Sequence, residues 1–260
     1  MKKADGSLEI FDGSKIIKTC LRSGLDNEES GIVLQHVERK AYDKIPTNAL
    51  LKMILKEIRK HSKPAAMKYN LRAALAALSP EGVFFEVYIK KLLEEYGYSV
   101  EHSKIVKGNC SEHEVDLIAK KGNEKIMVEC KHHRNHHTFA GQAEAMVTWA
   151  KFDDTKGRNG FTGAWLVCNT KISAHAMGYL ACKNLKSVCW GNGLNGMIEG
   201  KKLYPVTILG SMAGNSVEKA FNSGVLTIED VISADSAVLR KVFGEKRLRA
   251  VEEARSILYS

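Results

Sequence analysis

Long apolar runs are missing from this 260-residue chain. None reaches the roughly 20 residues that a helix needs to cross a bilayer, which excludes a helical membrane protein. Cysteine pairs at CxxC spacing are missing too. The six cysteines, at 20, 110, 130, 168, 182 and 189, are scattered, which excludes a zinc ribbon and a disulfide framework and fits a reducing compartment. The opening MKKADGSLEIF has two lysines but no apolar segment behind them, so a cytoplasmic rather than a secreted protein is expected. No GxxxxGK[ST] phosphate loop, low-complexity tract or repeat of solenoid length occurs.

What is present is the composition of a globular protein, with 44% hydrophobic and 27% charged residues. The length is comfortable for two or three domains. A net charge of +9 points to a polyanionic partner, and its distribution is uneven. Residues 1–78 hold 15 Lys/Arg against 9 Asp/Glu, residues 79–210 hold 17 against 14, and residues 211–260 hold 7 of each. A single smooth DNA-binding face is not implied.

Three segments separate on pattern. Residues 1–78 read as a short hairpin, with Asp5-Gly6 as a turn, followed by four helices. Asp12 or Ser14 is placed to cap the first, GIVLQHVERKAYD forms the second, Thr47 caps the third, and KPAAMKYNLRAALAAL is the last. SPEG at 79–82 marks a boundary, with Ser79 as N-cap and Pro80 at the first helical position. Beyond it, residues 79–210 read as helix, three strands, helix, strand, helix, strand: an α/β layer with a mixed sheet. GKKLYPVTILGSMAGN (200–215) reads as a connector, with PVTIL as a candidate for one extra strand. Residues 211–260 form a small all-α segment of short helices, with Thr227 and Ser236 as caps.

Charge interrupts the apolar strands of the middle segment at particular places. Alternation puts Met127, Glu129 and Lys131 on one face of EKIMVECK, with Glu129 and Lys131 projecting together from its carboxyl end. The preceding strand, EVDLIA, is joined to it by the turn sequence KKGNEK, so antiparallel pairing brings Asp116 towards Glu129. Two converging carboxylates make a hard oxygen site suited to Mg²⁺ or Mn²⁺, and a lysine beside them would offset charge developing on phosphorus. Glu86 borders the apolar stripe of the helix over 81–96, where a carboxylate needs a cation or a basic group as compensation. The plainer alternative is a hairpin with solvated charges. It leaves unexplained why Glu and Lys share a face opposite an Asp.

Those stretches, FEVYIKKLLEEYGYSVE, EVDLIA and VECK, resemble the Mrr-like branch of the PD-(D/E)xK nuclease superfamily. AWLVCNTKISAHAMGYLACKNLKSVCWG resembles the later strand, helix and strand of that fold, so the resemblance covers about 80–199. It implies a restriction-endonuclease-like core in which Asp116, Glu129 and Lys131 are catalytic and Glu86 is an accessory. Asp116, Glu129 and the Cys130 backbone carbonyl would hold the metal. His113, Glu114 and Gln142 become candidates for supporting roles. The run HHRNHH offers imidazoles at zinc spacing only if helical. Its place directly after a strand favours a loop, in which His132, Arg134 and His136 are candidates for contacting DNA.

Two further resemblances flank this core. KADGSLEIFDGSKIIKTCLRSGL and AMKYNLRAAL resemble the ATP-cone, a helical nucleotide-binding regulatory domain. That likeness makes Lys3, Lys15, Lys18, Tyr69 and Arg72 candidates for contacting ATP or dATP. AFNSGVLTIEDVISADSAVLRKVFGEKRLRAVEEA is similar to helix-hairpin-helix modules that grip DNA backbones, with an eroded hairpin. The expectation is therefore a cytoplasmic, homodimeric, Mg²⁺-dependent DNA endonuclease under nucleotide control. A structure-specific repair nuclease or Holliday junction resolvase is the alternative enzyme. A non-catalytic nucleotide-sensing DNA-binding regulator is the alternative of another class.

Overall fold

A computed structural model of the protein describes residues 1–2, 6–78, 82–135 and 137–260. Lys3, the Asp5 turn position, the Ser79–Pro80 boundary and His136, all singled out above, lie outside the described residues. The helices are α1 (Gly13–Ser23), α2 (Asn27–Lys40), α3 (Thr47–His61), α4 (Lys63–Tyr69), α5 (Leu71–Ala76), α6 (Val83–Glu95), α7 (Gln142–Asn159), α8 (Ala174–Cys182), α9 (Leu194–Gly200), α10 (Ser216–Asn222), α11 (Ile228–Ser233), α12 (Ser236–Phe243) and α13 (Arg247–Leu258). The strands are β1 (Ser99–Lys107), β2 (Glu112–Lys121), β3 (Glu124–Lys131), β4 (Phe139–Ala140), β5 (Gly163–Cys168), β6 (Lys171–Ile172) and β7 (Lys186–Cys189). They gather into two compact units. All six cysteines are free thiols, and among the described residues no helix is long and apolar enough to cross a membrane.

One unit comprises residues 1–71, 208–216 and 228–260. Helices α1, α2, α4 and α12 of this unit start on side-chain caps. Asp12 accepts the Ser14 N–H at 3.0 Å, and Asp26 with Glu29 forms a reciprocal capping box. That box starts α2 at Asn27, four residues before the apolar pattern beginning at Gly31. Pro46, not Thr47, flanks α3, and Asp235, not Ser236, caps α12. Where one helix was expected over KPAAMKYNLRAALAAL, the chain breaks at Asn70, a poor helix former, into α4 and α5. Ile16, Cys20, Val33, Val37, Ile54 and Ile58 form the core. Against it lies buried Glu57, held by Lys60, by Lys40 at 2.9 Å and by His36 at 3.1 Å. The Lys60 and Lys40 ammoniums, outweighing burial, bring its pKa down to about 2. The tail helix α13 packs on α4, where Lys68 Nζ donates to Ser260 Oγ at 2.8 Å.

The other unit comprises residues 72–207 and 217–227. Its sheet runs β1-β2-β3-β5-β7. The first three strands are antiparallel neighbours, and β3, β5 and β7 are parallel, joined by crossovers through α7 and α8. PVTIL, a candidate strand, is instead a short 3₁₀ turn at Val206–Ile208 beside an isolated Pro205–Thr227 bridge. Helix α6 packs on β1 and β2 through its buried Phe85, Tyr88, Ile89 and Leu92, with Tyr88 donating to the Leu203 carbonyl at 2.6 Å. The core between sheet and crossover helices is built from Val115, Ile118, Met127, Ala145, Leu166 and Leu180. Register aligns Lys131 with Cys168 and Cys168 with Cys189. The carboxyl ends of the three parallel strands therefore form one edge, the place where open α/β sheets take ligands.

Candidate active site

At that edge the antiparallel β2–β3 ladder stops at the Leu117–Val128 pair, and the next residues of each strand are Asp116 and Glu129. Asp116 Oδ2 instead accepts the Cys130 N–H at 2.7 Å, a carboxylate taking the place of a ladder carbonyl. Glu129 is only 2% exposed, a position a carboxylate tolerates only with partners. Its two oxygens are taken separately. Lys131 Nζ lies 2.8 Å from Oε1, and Lys151 Nζ lies 2.8 Å from Oε2.

The electrostatics follow from this crowding. Burial, and then the Glu129 carboxylate, push Asp116 up to about 6, against the opposing Cys130 N–H. For Lys131, burial disfavours the ammonium, but its bond to Glu129 and the charges of Glu129 and Asp116 outweigh that, and its pKa is raised. Lys131 is therefore a cation at neutral pH. Glu86 joins from α6 within hydrogen-bond distance, 3.0 Å, of His102 Nε2 on β1, and its charge adds to the upward push on Asp116.

Helix α7 supplies what the strands do not. Thr155 Oγ1 faces Met127 Sδ at 3.9 Å. Lys151, one turn earlier on the same helical face, reaches Glu129 and also donates to the Glu114 carbonyl at 3.2 Å. Asp154 bolts the β1–β2 turn to the helix, accepting from the Cys110 N–H at 2.8 Å and lying 2.7 Å from His113 Nε2. That imidazole, first among several donors, holds the Asp154 carboxyl well below the usual range. Gly108 is obligatory here, since a Cβ would sit 2.0 Å from Asp154 Oδ2 and 2.7 Å from the Ser111 carbonyl.

The structure brings Asp116, Glu129 and Lys131 together, with Glu86 beside them. It puts His113 on Asp154, and His132 Nε2 on the Leu75 carbonyl at 3.0 Å. His133 is fixed through its backbone by Asn169. Arg134 and Gln142 are exposed. Of the nucleotide candidates, Lys15 and Lys18 are exposed on α1 and Tyr69 is half-buried in the same unit. Arg72 belongs to the other unit, in the electrostatic neighbourhood of Cys168. Lys151, His102 and Asp154 are residues that sequence reasoning missed. The one signal for Lys151 was a lone cation between Trp149 and Phe152 in a helical stretch.

The donor set fits Mg²⁺ or Mn²⁺. Two carboxylates that repel each other, with the Cys130 carbonyl between Glu129 and Lys131 in sequence, offer hard oxygens of the kind a small divalent cation shares with substrate and water. Among the described residues no three His, Cys, Asp or Glu side chains converge to hold a metal.

Comparison with known proteins gives the following likenesses. The restriction endonuclease family model (Mrr_cat) matches residues 77–189. An uncharacterized protein of Archaeoglobus fulgidus is 35% identical over 174 residues, which is 65% of this chain and 98% of the relative. A crystal structure of a protein of unknown function superposes with a TM-score of 0.60 at 33% identity, over 69% of this chain and 99% of that one.

Proposed function

Residues 77–189 belong to the restriction endonuclease family, and from that premise we propose that the protein is a Mg²⁺-dependent DNA endonuclease. The observation that carries the reading is the convergence of Asp116, Glu129 and Lys131 at the carboxyl edge of the parallel strands. Asp116, Glu129 and the Cys130 carbonyl would hold the cation, which when bound lowers the pKa of a water and offsets charge on the phosphoryl oxygens. Lys131 keeps its ammonium at the site and stabilises the charge that grows on phosphorus in the transition state. Asp116 must be ionised to serve, and in the metal-free protein burial and the Glu129 charge raise it to about 6, so affinity for the divalent cation should climb as pH rises through about 6. Glu86, within hydrogen-bond distance of His102, sits beside Asp116 as an accessory that adds negative charge to the cation site.

The ATP-cone likeness of residues 3–78 supports control by ATP or dATP, with Lys15 and Lys18 as phosphate contacts and Tyr69 as a further contact. Two such centres are needed to cut both strands, so a homodimer is part of the proposal. Supercoiled plasmid, linear duplex and four-way-junction DNA incubated with Mg²⁺, with and without ATP or dATP, test it. Cleavage of plasmid and linear duplex is expected. Cutting confined to the junction would make it a resolvase, and no cutting of any substrate in Mg²⁺ or Mn²⁺ would favour a non-catalytic regulator. Calorimetry showing no heat of ATP or dATP binding would remove the nucleotide control.

A further inference from the structure

We infer that Lys151 is a built-in counter-ion that occupies Glu129 Oε2 in competition with the divalent cation, and so sets how tightly the centre holds metal. The inference rests on the metal-dependent reading above and deepens it.

Glu129 is the most enclosed of the centre's carboxylates, and both its oxygens carry an ammonium at 2.8 Å. One lysine suffices to compensate a buried carboxylate, so the second has to be explained. The two lysines differ in origin. Lys131 comes from the same strand, two residues on, and its side chain is 35% exposed at the strand end, where substrate would approach. Lys151 comes from the crossover helix, is less exposed at 23%, and has a second acceptor in the Glu114 carbonyl at 3.2 Å. When Glu129 Oε2 turns to a cation, the Lys151 ammonium keeps that carbonyl and is not stranded. Glu129 Oε1 carries Lys131, the cation proposed to face the phosphate, and Asp116 Oδ2 accepts the Cys130 N–H, which leaves Asp116 Oδ1 and Glu129 Oε2 as the pair of oxygens a cation takes with least disturbance to those contacts. A cation that uses both carboxylates therefore meets Lys151 as its rival. Lys151 is a positioning residue in this sense: it acts through Glu129.

The test is Mn²⁺ binding to the full chain without DNA, by calorimetry and by the electron paramagnetic resonance signal of free Mn²⁺. It is run at pH 8, where Asp116 is ionised. Wild type is compared with Lys151→Met, which keeps the stem and loses the charge, and with Lys151→Arg, which keeps the charge. Removing a unit charge a few ångströms from the metal should tighten Kd about tenfold or more, whereas Lys151→Arg should match wild type. If Lys151→Met does not fold, Lys151→Gln carries the same expectation. An unchanged or weaker Kd in a folded, uncharged variant overturns the role of Lys151 and leaves the metal centre standing. Wild type that binds no Mn²⁺ overturns the metal-dependent reading itself.

Discussion

Asp116→Asn should make the metal-free protein more stable while abolishing its proposed activity. Asparagine keeps the shape and an oxygen that can still accept the Cys130 N–H, now made at 2.7 Å, but carries no charge beside Glu129. The folded protein moves Asp116 from an ordinary 3.8 up to about 6, chiefly through burial and then through Glu129. At about 1.4 kcal/mol per pH unit, that difference amounts to about 3 kcal/mol. Since the group is not fully enclosed, about 2 kcal/mol is the working figure. The sign follows from linkage. A carboxyl whose pKa is raised on folding contributes stability that is present below about pH 4 and is lost as pH rises through about 6. Wild type at pH 8 has lost it, and the asparagine variant never depends on it. Scanning calorimetry in EDTA should therefore place the variant about 4–8 °C above wild type at pH 8, with the gap closing towards pH 4. Saturating Mg²⁺ should narrow the gap at pH 8, by binding the native wild type. A variant that melts at or below wild type at pH 8, or an offset that persists at pH 4, would refute the reasoning.

Three further outcomes are expected. Lys131→Ala should lower the cleavage rate at least about 100-fold while Mn²⁺ binding by calorimetry persists or tightens, because the phosphate loses its cation and Glu129 Oε1 loses its ammonium. Glu57→Gln should cost the unit formed by residues 1–71, 208–216 and 228–260 about 1–2 kcal/mol in urea melts near neutral pH. Wild type should lose the contribution of Glu57 as pH falls from about 4.5 through about 2, the window in which that carboxylate takes up its proton. Gly108→Ala should lower the melting temperature, and adding Asp154→Ala should restore little of it, because the added Cβ still meets the Ser111 backbone carbonyl at 2.7 Å and the turn loses its anchor on Asp154.

Strand alternation and a turn sequence were enough to read that Glu129 and Lys131 share a face and that β2 doubles back beside β3. Both rules are local, and the register that sets Leu117 against Val128 follows from them. Parallel pairing of β3 with β5, and the resulting alignment of Lys131 with Cys168, depends on a crossover whose length says nothing about register. Lys151 and Asp154 escaped for the same reason. Their roles are fixed by how α7 rolls onto the sheet, and their partners lie 22 and 41 residues away in the chain. Helix starts were misread by a residue or more wherever a side-chain cap lay outside the apolar pattern, as at Asp26 and Asp235. Grouping of the tail with the first helices was also beyond local pattern, since contacts such as Lys68 with Ser260 span 192 residues.

The central claim is that Asp116, Glu129 and Lys131 form one divalent-metal nuclease centre, and nicking of supercoiled plasmid tests it most directly. Wild type, Asp116→Asn, Glu129→Gln and Lys131→Ala would be compared in Mg²⁺ and in EDTA, each confirmed as folded. The expected result is nicking by wild type in Mg²⁺ alone, with each variant reduced at least about 100-fold. Nicking that survives EDTA, or that survives Glu129→Gln at the wild-type rate, would contradict it.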